Sequence, residues 1–142
     1  MLPATNIQIA TLCDAATDYN GKLCILGTFD TITASQMPAV HPQCSVALRV
    51  SFSRFLEGPH QFHLRFVDAD GKPVMPVVEM SADIAVPSDY TFQAKNFILH
   101  IQHMQFDRPG QYAIDVDLDG NHITSIPLLV NQTKSESGAN PE

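Results

Sequence analysis

This 142-residue sequence contains no tryptophan, only eight lysine and arginine residues, and only three cysteines. The basic residues are scattered and the net charge is −7, which argues against binding to nucleic-acid phosphates or to anionic membranes. No apolar stretch approaches the roughly 20 residues that span a bilayer, and the N-terminus lacks the pattern of a secretory signal. We therefore expect a cytoplasmic protein without a nucleic-acid or membrane partner.

The three cysteines, Cys13, Cys24 and Cys44, are an odd number and lack the CxxC spacing of a metal site. Each lies in an apolar run, where a free cysteine behaves as a small buried hydrophobic side chain. The sequence therefore predicts three reduced, buried cysteines.

The sequence also lacks any long segment with the 3.6-residue apolar period of an amphipathic helix, and only residues 14–19 could form a single helical turn. Alternating apolar and polar residues instead predict eight strands separated by turns. The first six cover residues 6–13, 22–32, 44–53, a segment after Pro59, 74–86 and 90–104. Because Pro76 interrupts the fifth, we expect that strand to be irregular or to lie at a sheet edge.

The last two predicted strands form a hairpin within residues 106–130. Its start, marked by Asp107, Gly110 and Tyr112, resembles the tyrosine corner of immunoglobulin-like sandwiches. Counting back from that corner predicts an all-β, immunoglobulin-like or Greek-key β-sandwich of about seven to eight strands over residues 1–130. We expect the polar tail, residues 131–142, to be disordered. Without tryptophan or a disulfide-spaced cysteine pair, the chain is not a true antibody-type domain.

Two expectations about packing follow from the strand assignments. The apolar phase of the strands should be buried, and the hydroxyl of Tyr112 should bond to nearby backbone. The core residues predicted in this way are Leu48, Phe52, Leu64, Phe66, Leu99, Ile101, Ile114 and Val116. The final strand has no charge from Ile123 to Val130, so it should pair with a second copy unless the second strand covers it.

No motif of a catalytic or cofactor site is present: there is no G-x-S-x-G elbow, phosphate loop or dinucleotide fingerprint. The acidic run from Asp115 to Gly120 resembles the opening of a calcium loop, but Ile126 stands where the twelfth-position glutamate is required. It is better explained as an acidic strand face ending in a type I′ turn. The histidine pairs spaced three apart would lie on opposite faces of a strand, so we expect no metal and no cofactor.

One group of polar residues could form a binding surface. If the fourth and seventh strands are neighbours, outward His63 and Arg65 lie beside outward Asp115 and Asp117. Such a group is either a solubilising charge lattice or a polar recognition face.

Five segments, ATLCDAA, LCILGTFDTI, HPQCSVALRV, LRFVDADGKPVMP and PGQYAIDVDLDG, together resemble a family of small bacterial proteins known as a domain of unknown function. The resemblance implies a bacterial source and a β-rich single domain, and it transfers no functional residue. The sequence thus favours a non-catalytic binding or assembly module that contacts a protein partner or a second copy of itself. The alternative is a small metal-dependent or hydrolytic enzyme that uses loop histidines such as His41.

Overall fold

The computed structural model of this chain describes residues 5–133, which form nine strands and one 3-10 turn. The strands are β1 Thr5–Tyr19, β2 Lys22–Phe29, β3 Thr31–Ala34, β4 Ala39–Ser53, β5 Gly58–Asp68, β6 Val78–Ile84, β7 Phe92–Phe106, β8 Gly110–Leu118 and β9 Asn121–Gln132. The 3-10 turn, Arg54–Leu56, joins β4 to β5. No helix in this range is long and apolar enough to cross a membrane.

The strands form two sheets. Sheet A has four strands in the order β2-β1-β4-β7, and sheet B has five in the order β3-β9-β8-β5-β6. Neighbours are antiparallel except for the parallel pair of β3 and β9. The all-β prediction is confirmed, and so are the predicted neighbours, because β5, β8 and β9 share one sheet while β4 pairs with β7 in the other. The irregular fifth segment is an edge strand, β6.

The core lies between the two sheets and is formed by the apolar phase of each strand. Seven of the eight predicted core residues are buried, and Leu99 is half-buried because β7 is an edge strand of sheet A. Phe62 is fully buried; its ring lies 4.7 Å from that of Phe97 and 6.4 Å from that of Phe52, between centroids. Aromatic contacts therefore join β5 of sheet B to β4 and β7 of sheet A.

The tyrosine corner has the predicted hydrogen bond. The half-buried Tyr112 donates its hydroxyl to the carbonyl of Arg108 at 2.5 Å, and its ring packs edge-on against Phe106. Gly110 adopts a φ of +146°, which favours glycine. Asp107 accepts a hydrogen bond from the side chain of Gln105 at 3.3 Å. The corner thus fixes the start of β8 against the end of β7.

Replacing Tyr112 with phenylalanine is expected to lower the free energy of unfolding by about 0.5–1.5 kcal/mol, because the Arg108 carbonyl loses its donor while the ring contact remains. Urea denaturation measures this, with the exposed Tyr90→Phe as a control that should change stability by less than about 0.5 kcal/mol. Equal stabilities of the two variants would contradict a structural role for the hydroxyl.

The predicted second strand, residues 22–32, is wrong as a single element. The chain leaves sheet A after Phe29 and enters sheet B as β3, where Thr31–Ala34 pair with residues 129–132 of β9. The N–H of Leu129 also donates to the carbonyl of Asp30 at 2.8 Å. Strand β3 thus covers the edge of the final strand over residues 129–132, and the homodimer stays a prediction.

The C-terminal boundary also differs from the prediction. Strand β9 continues to Gln132, two residues beyond the predicted end of the domain, because β3 provides hydrogen-bonding partners there. The rest of the predicted disordered tail, from residue 134 onward, lies outside the described residues.

The predicted helical turn at residues 14–19 is a strand. Strand β1 pairs with β4 only as far as Cys13, and its remainder forms with β2 a hairpin arm, residues 14–26, closed by a turn at Asn20 and Gly21. In the register of β1 and β4, Arg49 lies opposite the start of β1. Its guanidinium nevertheless donates a hydrogen bond to the carbonyl of Gly21, at the far end of the arm (3.0 Å). The arm therefore folds back over the outer face of sheet A.

The arm covers small side chains on that outer face. Cys13 and Ala47 are fully buried there although their neighbours in sequence already fill the core. At the fold in the arm, Gly27 has a φ of +69°, and a Cβ at this position would lie 2.6 Å from a carboxylate oxygen of Asp14. Any other residue at position 27 would therefore disturb the arm.

The cysteine prediction is right for two positions and wrong for one. Cys13 and Cys44 are buried, and burial raises the pKa of the Cys44 thiol to about 11 and that of Cys13 in the same direction. Cys24 is exposed, because β2 is an edge strand.

A thiol reagent such as DTNB is therefore expected to modify one cysteine per folded chain at pH 8 and three after denaturation, since only an accessible thiolate reacts readily. The variant Cys24→Ser should abolish the native reaction. Rapid modification of a second thiol in the folded protein would contradict the burial of Cys13 and Cys44.

Candidate functional site

The predicted polar group lies together on the outer face of sheet B. The register of β5 and β8 places His63 opposite Asp117 and Arg65 opposite Asp115. The Arg65 guanidinium donates to both carboxylate oxygens of Asp117, at 3.1 and 3.3 Å, and lies 3.8 Å from Asp115. This bidentate contact holds the pKa of Asp117 below its usual range and raises that of Arg65.

His63 does not join the two aspartates, because it faces Glu79 of β6 at 3.4 Å. Two residues that the sequence did not indicate complete the group from β9. His122 lies 3.5 Å from Asp117, and the Ser125 hydroxyl donates to Asp115 at 2.6 Å. Their position depends on the irregular register between β8 and β9 at Val116 and Asp117, which alternation alone does not reveal.

Asp117, His122 and Ser125 follow the order of a catalytic triad, but the geometry does not activate the serine. The Ser125 oxygen is 3.4 Å from His122 Nε2, whereas its proton is directed to Asp115. Asp117 is already paired with Arg65. The charges on this face thus compensate one another, as in a charge lattice.

The other histidines do not converge on a metal site. His41 lies in β4 with its ring 5.2 Å from that of Phe29, and His100 contacts the hydroxyl of Ser45 at 3.0 Å. Within residues 5–133, no group of three or more histidine, cysteine or acidic side chains is placed to hold a metal ion. The acidic run ends as predicted in a left-handed turn at Asp119 and Gly120.

His60 forms an unexpected contact with that turn. The ring stacks on Phe52, with 10% of its side chain exposed, and its Nδ1 lies 2.5 Å from a carboxylate oxygen of Asp119. Its Nε2 lies 2.6 Å from the carbonyl of Leu56. A carbonyl and an ionised carboxylate can only accept, and the pKa of Asp119 is lowered, so with Asp119 ionised both ring nitrogens carry a proton and His60 is an imidazolium. We call the group of His60, Asp119 and Leu56 the imidazolium clamp.

The charges in the clamp reinforce each other. The hydrogen bond to Asp119 raises the pKa of His60 against the opposing effect of burial, and nearby Asp83 acts in the same direction as Asp119. The same bond lowers the pKa of Asp119. His60 shares the inward phase of Phe62 and Leu64, so its burial had a signal in the sequence, whereas its partners did not.

The 3-10 turn beside the clamp exposes a large aromatic side chain. Phe55 is 94% exposed, while the neighbouring Leu56 packs against the core. Tyr90 and Phe92 lie at the same end of the molecule, because Phe92 pairs with Ser53, the residue just before the turn. Both side chains are also exposed. We call Phe55, Tyr90 and Phe92 the aromatic end.

Hydrogen bonds fix the loop at the aromatic end. The Arg54 guanidinium donates to the carbonyls of Val86 (3.1 Å), Pro87 (2.9 Å), Ser88 (3.4 Å) and Tyr90. The Glu57 carboxylate accepts a bond from the N–H of Val86 at 2.7 Å. The exposed aromatic residues therefore lie on elements held in one arrangement.

Comparisons with known proteins concern the family and the fold. The model of a family of unknown function (DUF6941) matches residues 8–131, and no curated protein is significantly similar to the chain. A β-glucosidase from Listeria innocua in complex with glucose is 8% identical, with a TM-score of 0.54 and coverage of 92% of this chain and 16% of that one. The DNA glycosylase AlkC of Pseudomonas fluorescens is 11% identical, with a TM-score of 0.45 and coverage of 92% and 31%. The chain thus spans less than a third of either protein, and its similarity to the β-glucosidase concerns the fold alone.

Proposed function

This chain belongs to the family of unknown function DUF6941, and from its geometry we propose that it is a non-catalytic binding module on an immunoglobulin-like sandwich. The membership agrees with the predicted resemblance to an uncharacterised family. The immunoglobulin-like assignment is supported by the pairing of β4 with β7, by the order β9-β8-β5-β6 in sheet B, and by the tyrosine corner at Tyr112.

The observation that carries this proposal is the exposure of Phe55 on a turn held by hydrogen bonds. A phenylalanine that is almost wholly exposed gains little burial energy from folding, and several exposed apolar side chains at one place, here Phe55, Tyr90 and Phe92, are typical of an interaction site. Because Arg54 and Glu57 already fix the surrounding loop, a partner would lose little conformational freedom on binding there. We therefore propose the aromatic end as the contact surface for a protein partner.

The polar face of sheet B supports the non-catalytic part of the proposal. Its carboxylates are engaged by Arg65 and Ser125, and the hydroxyl of Ser125 is directed away from His122. A hydrolase based on His122 and Ser125 is the second candidate, and it would need this hydroxyl to turn from Asp115 toward the imidazole.

A titration with benzyl alcohol, a neutral aromatic probe, tests the contact surface. We expect NMR chemical-shift changes concentrated in residues 54–56 and 86–92, because an aromatic probe can pack against the exposed rings there. The variant Phe55→Ser should remove most of these changes without altering stability. Leu26→Ser, at a site that is 70% exposed on the arm, serves as the matched control and should retain them.

Shift changes spread evenly over the surface, or unaffected by Phe55→Ser, would contradict the proposal. Light scattering over a dilution series distinguishes the two kinds of protein partner. A mass that stays at one chain at high concentration supports a different protein, whereas a concentration-dependent dimer abolished by Phe55→Ser assigns the surface to a second copy.

A further inference from the structure

We propose that the partner of the aromatic end is a protein segment that combines an aromatic or aliphatic side chain with positive charge. This inference rests on the proposed function and adds the chemistry of the partner. The evidence for this inference is the distribution of charged side chains around the exposed rings.

Carboxylates lie close to the elements that carry the aromatic end. Glu57 directly follows the 3-10 turn and contacts the 86–92 loop, and Asp89 directly precedes Tyr90. Asp119 is connected to the turn through His60, which contacts the carbonyl of Leu56, and Asp83 is close enough to influence the charge of the same histidine. Because Asp119 is paired with the His60 imidazolium, the acidic rim of the surface consists of Glu57, Asp83 and Asp89.

The cationic groups in this region have their donors engaged within the chain. The Arg54 guanidinium donates to backbone carbonyls of the 86–92 loop, and both ring nitrogens of His60 are bonded in the clamp. Lys95, three residues beyond Phe92, pairs with Val50 in the strand register and so lies further into sheet A. An approaching molecule therefore meets exposed aromatic rings and the carboxylates of Asp83 and Asp89, whereas both oxygens of Asp119 and one of Glu57 already accept hydrogen bonds within the chain.

A second copy of this chain does not complement that surface. Two aromatic ends brought together would place their acidic rims next to each other, and like charges in contact disfavour association. A cationic segment is attracted by the rim, and its charge also interacts favourably with the faces of the Tyr90 and Phe55 rings. The surface thus favours a basic partner with an apolar anchor.

Three probes of the same size and different charge test this inference: benzylamine, benzyl alcohol and benzoate, titrated into the full chain at pH 7.5 and followed by NMR. Benzylamine should bind the aromatic end about threefold more tightly than benzyl alcohol, and benzoate more weakly than either, as expected for partly exposed charges. High salt should reduce these differences. The variant Asp89→Asn should reduce the preference for benzylamine, and Asp70→Asn, in the distant β5–β6 connection, should leave it unchanged.

The results separate this inference from the one it rests on. If benzyl alcohol fails to bind at the aromatic end, the proposed function is wrong. If benzyl alcohol binds there but benzoate binds as well as benzylamine, the surface stands and the basic partner is rejected. Binding of benzylamine only near Asp83, without shifts at Phe55, also rejects the inference.

Discussion

Replacing Phe62 with alanine is expected to lower the free energy of unfolding by about 3–5 kcal/mol, the largest effect of any substitution considered in this protein. Phe62 is fully buried, and its ring touches those of Phe52 and Phe97 in the opposite sheet. Truncation leaves a cavity between the sheets that neighbouring rings on two rigid strands cannot fill.

Chemical denaturation measures this loss, and Leu26→Ala, which removes an exposed side chain from the arm, is the matched control with an expected effect below about 0.5 kcal/mol. A loss of less than about 1 kcal/mol for Phe62→Ala would mean that the two sheets do not pack as described.

The second large effect concerns the imidazolium clamp. Replacing His60 with glutamine is expected to lower the free energy of unfolding by about 2–3 kcal/mol near pH 5.5. The reason is that two hydrogen bonds donated by the charged imidazolium are lost at a nearly buried position. The Asp119 carboxylate and the Leu56 carbonyl lose these bonds together.

This effect has a defined pH dependence. The pKa of His60 is raised in the folded state, so its contribution is complete below about pH 6.5, the ordinary histidine value, and disappears as pH rises through the folded-state pKa. The pKa of Asp119 is lowered, so its contribution is present above about pH 3.9 and is lost as pH falls through its folded-state pKa. The clamp therefore stabilises the fold most between these two limits.

Stability curves of the wild type and His60→Gln from pH 4 to 9 measure this window, and the difference between them should shrink at high pH. His63→Gln, which removes an exposed pairing with Glu79, is the matched control, with an expected effect of less than about 1 kcal/mol at every pH. A difference for His60→Gln that is the same at pH 5.5 and pH 9 would refute the imidazolium.

The parts of the fold that the sequence predicted are those in which one face of a strand fills the core. In β4, β5 and β8 a side chain every second residue must be apolar, so alternation locates both the strands and their buried members, such as Leu64 and Ile114. The arm could not be predicted in this way. Residues 14–19 pack over the outer face of a sheet and not in the core, so their apolar and polar side chains do not alternate. The transfer of Thr31–Ala34 to sheet B depends on β9 and has no local signal.

Of the candidate sites, only the one set by strand pairing could be predicted from the sequence. The contact of Arg65 with Asp115 and Asp117 could be predicted, because strand parity and one correct neighbour fix which side chains meet. The clamp and the aromatic end could not, because they depend on the path of turns. Whether Asp119 reaches His60, and whether Arg54 finds four backbone carbonyls, is decided by loop geometry that composition does not encode.

The folded arm determines why the outward positions 45 and 47 of β4 hold small residues. Ser45 and Ala47 alternate with core residues, and by sequence they are indistinguishable from positions that face water. Because a third layer of chain lies above them, they act as spacers, and their size sets the height at which the arm can sit. A strand with serine or alanine at successive outward positions, as at 45 and 47, can therefore be enclosed on both sides there, and these two residues are constrained by volume rather than by polarity.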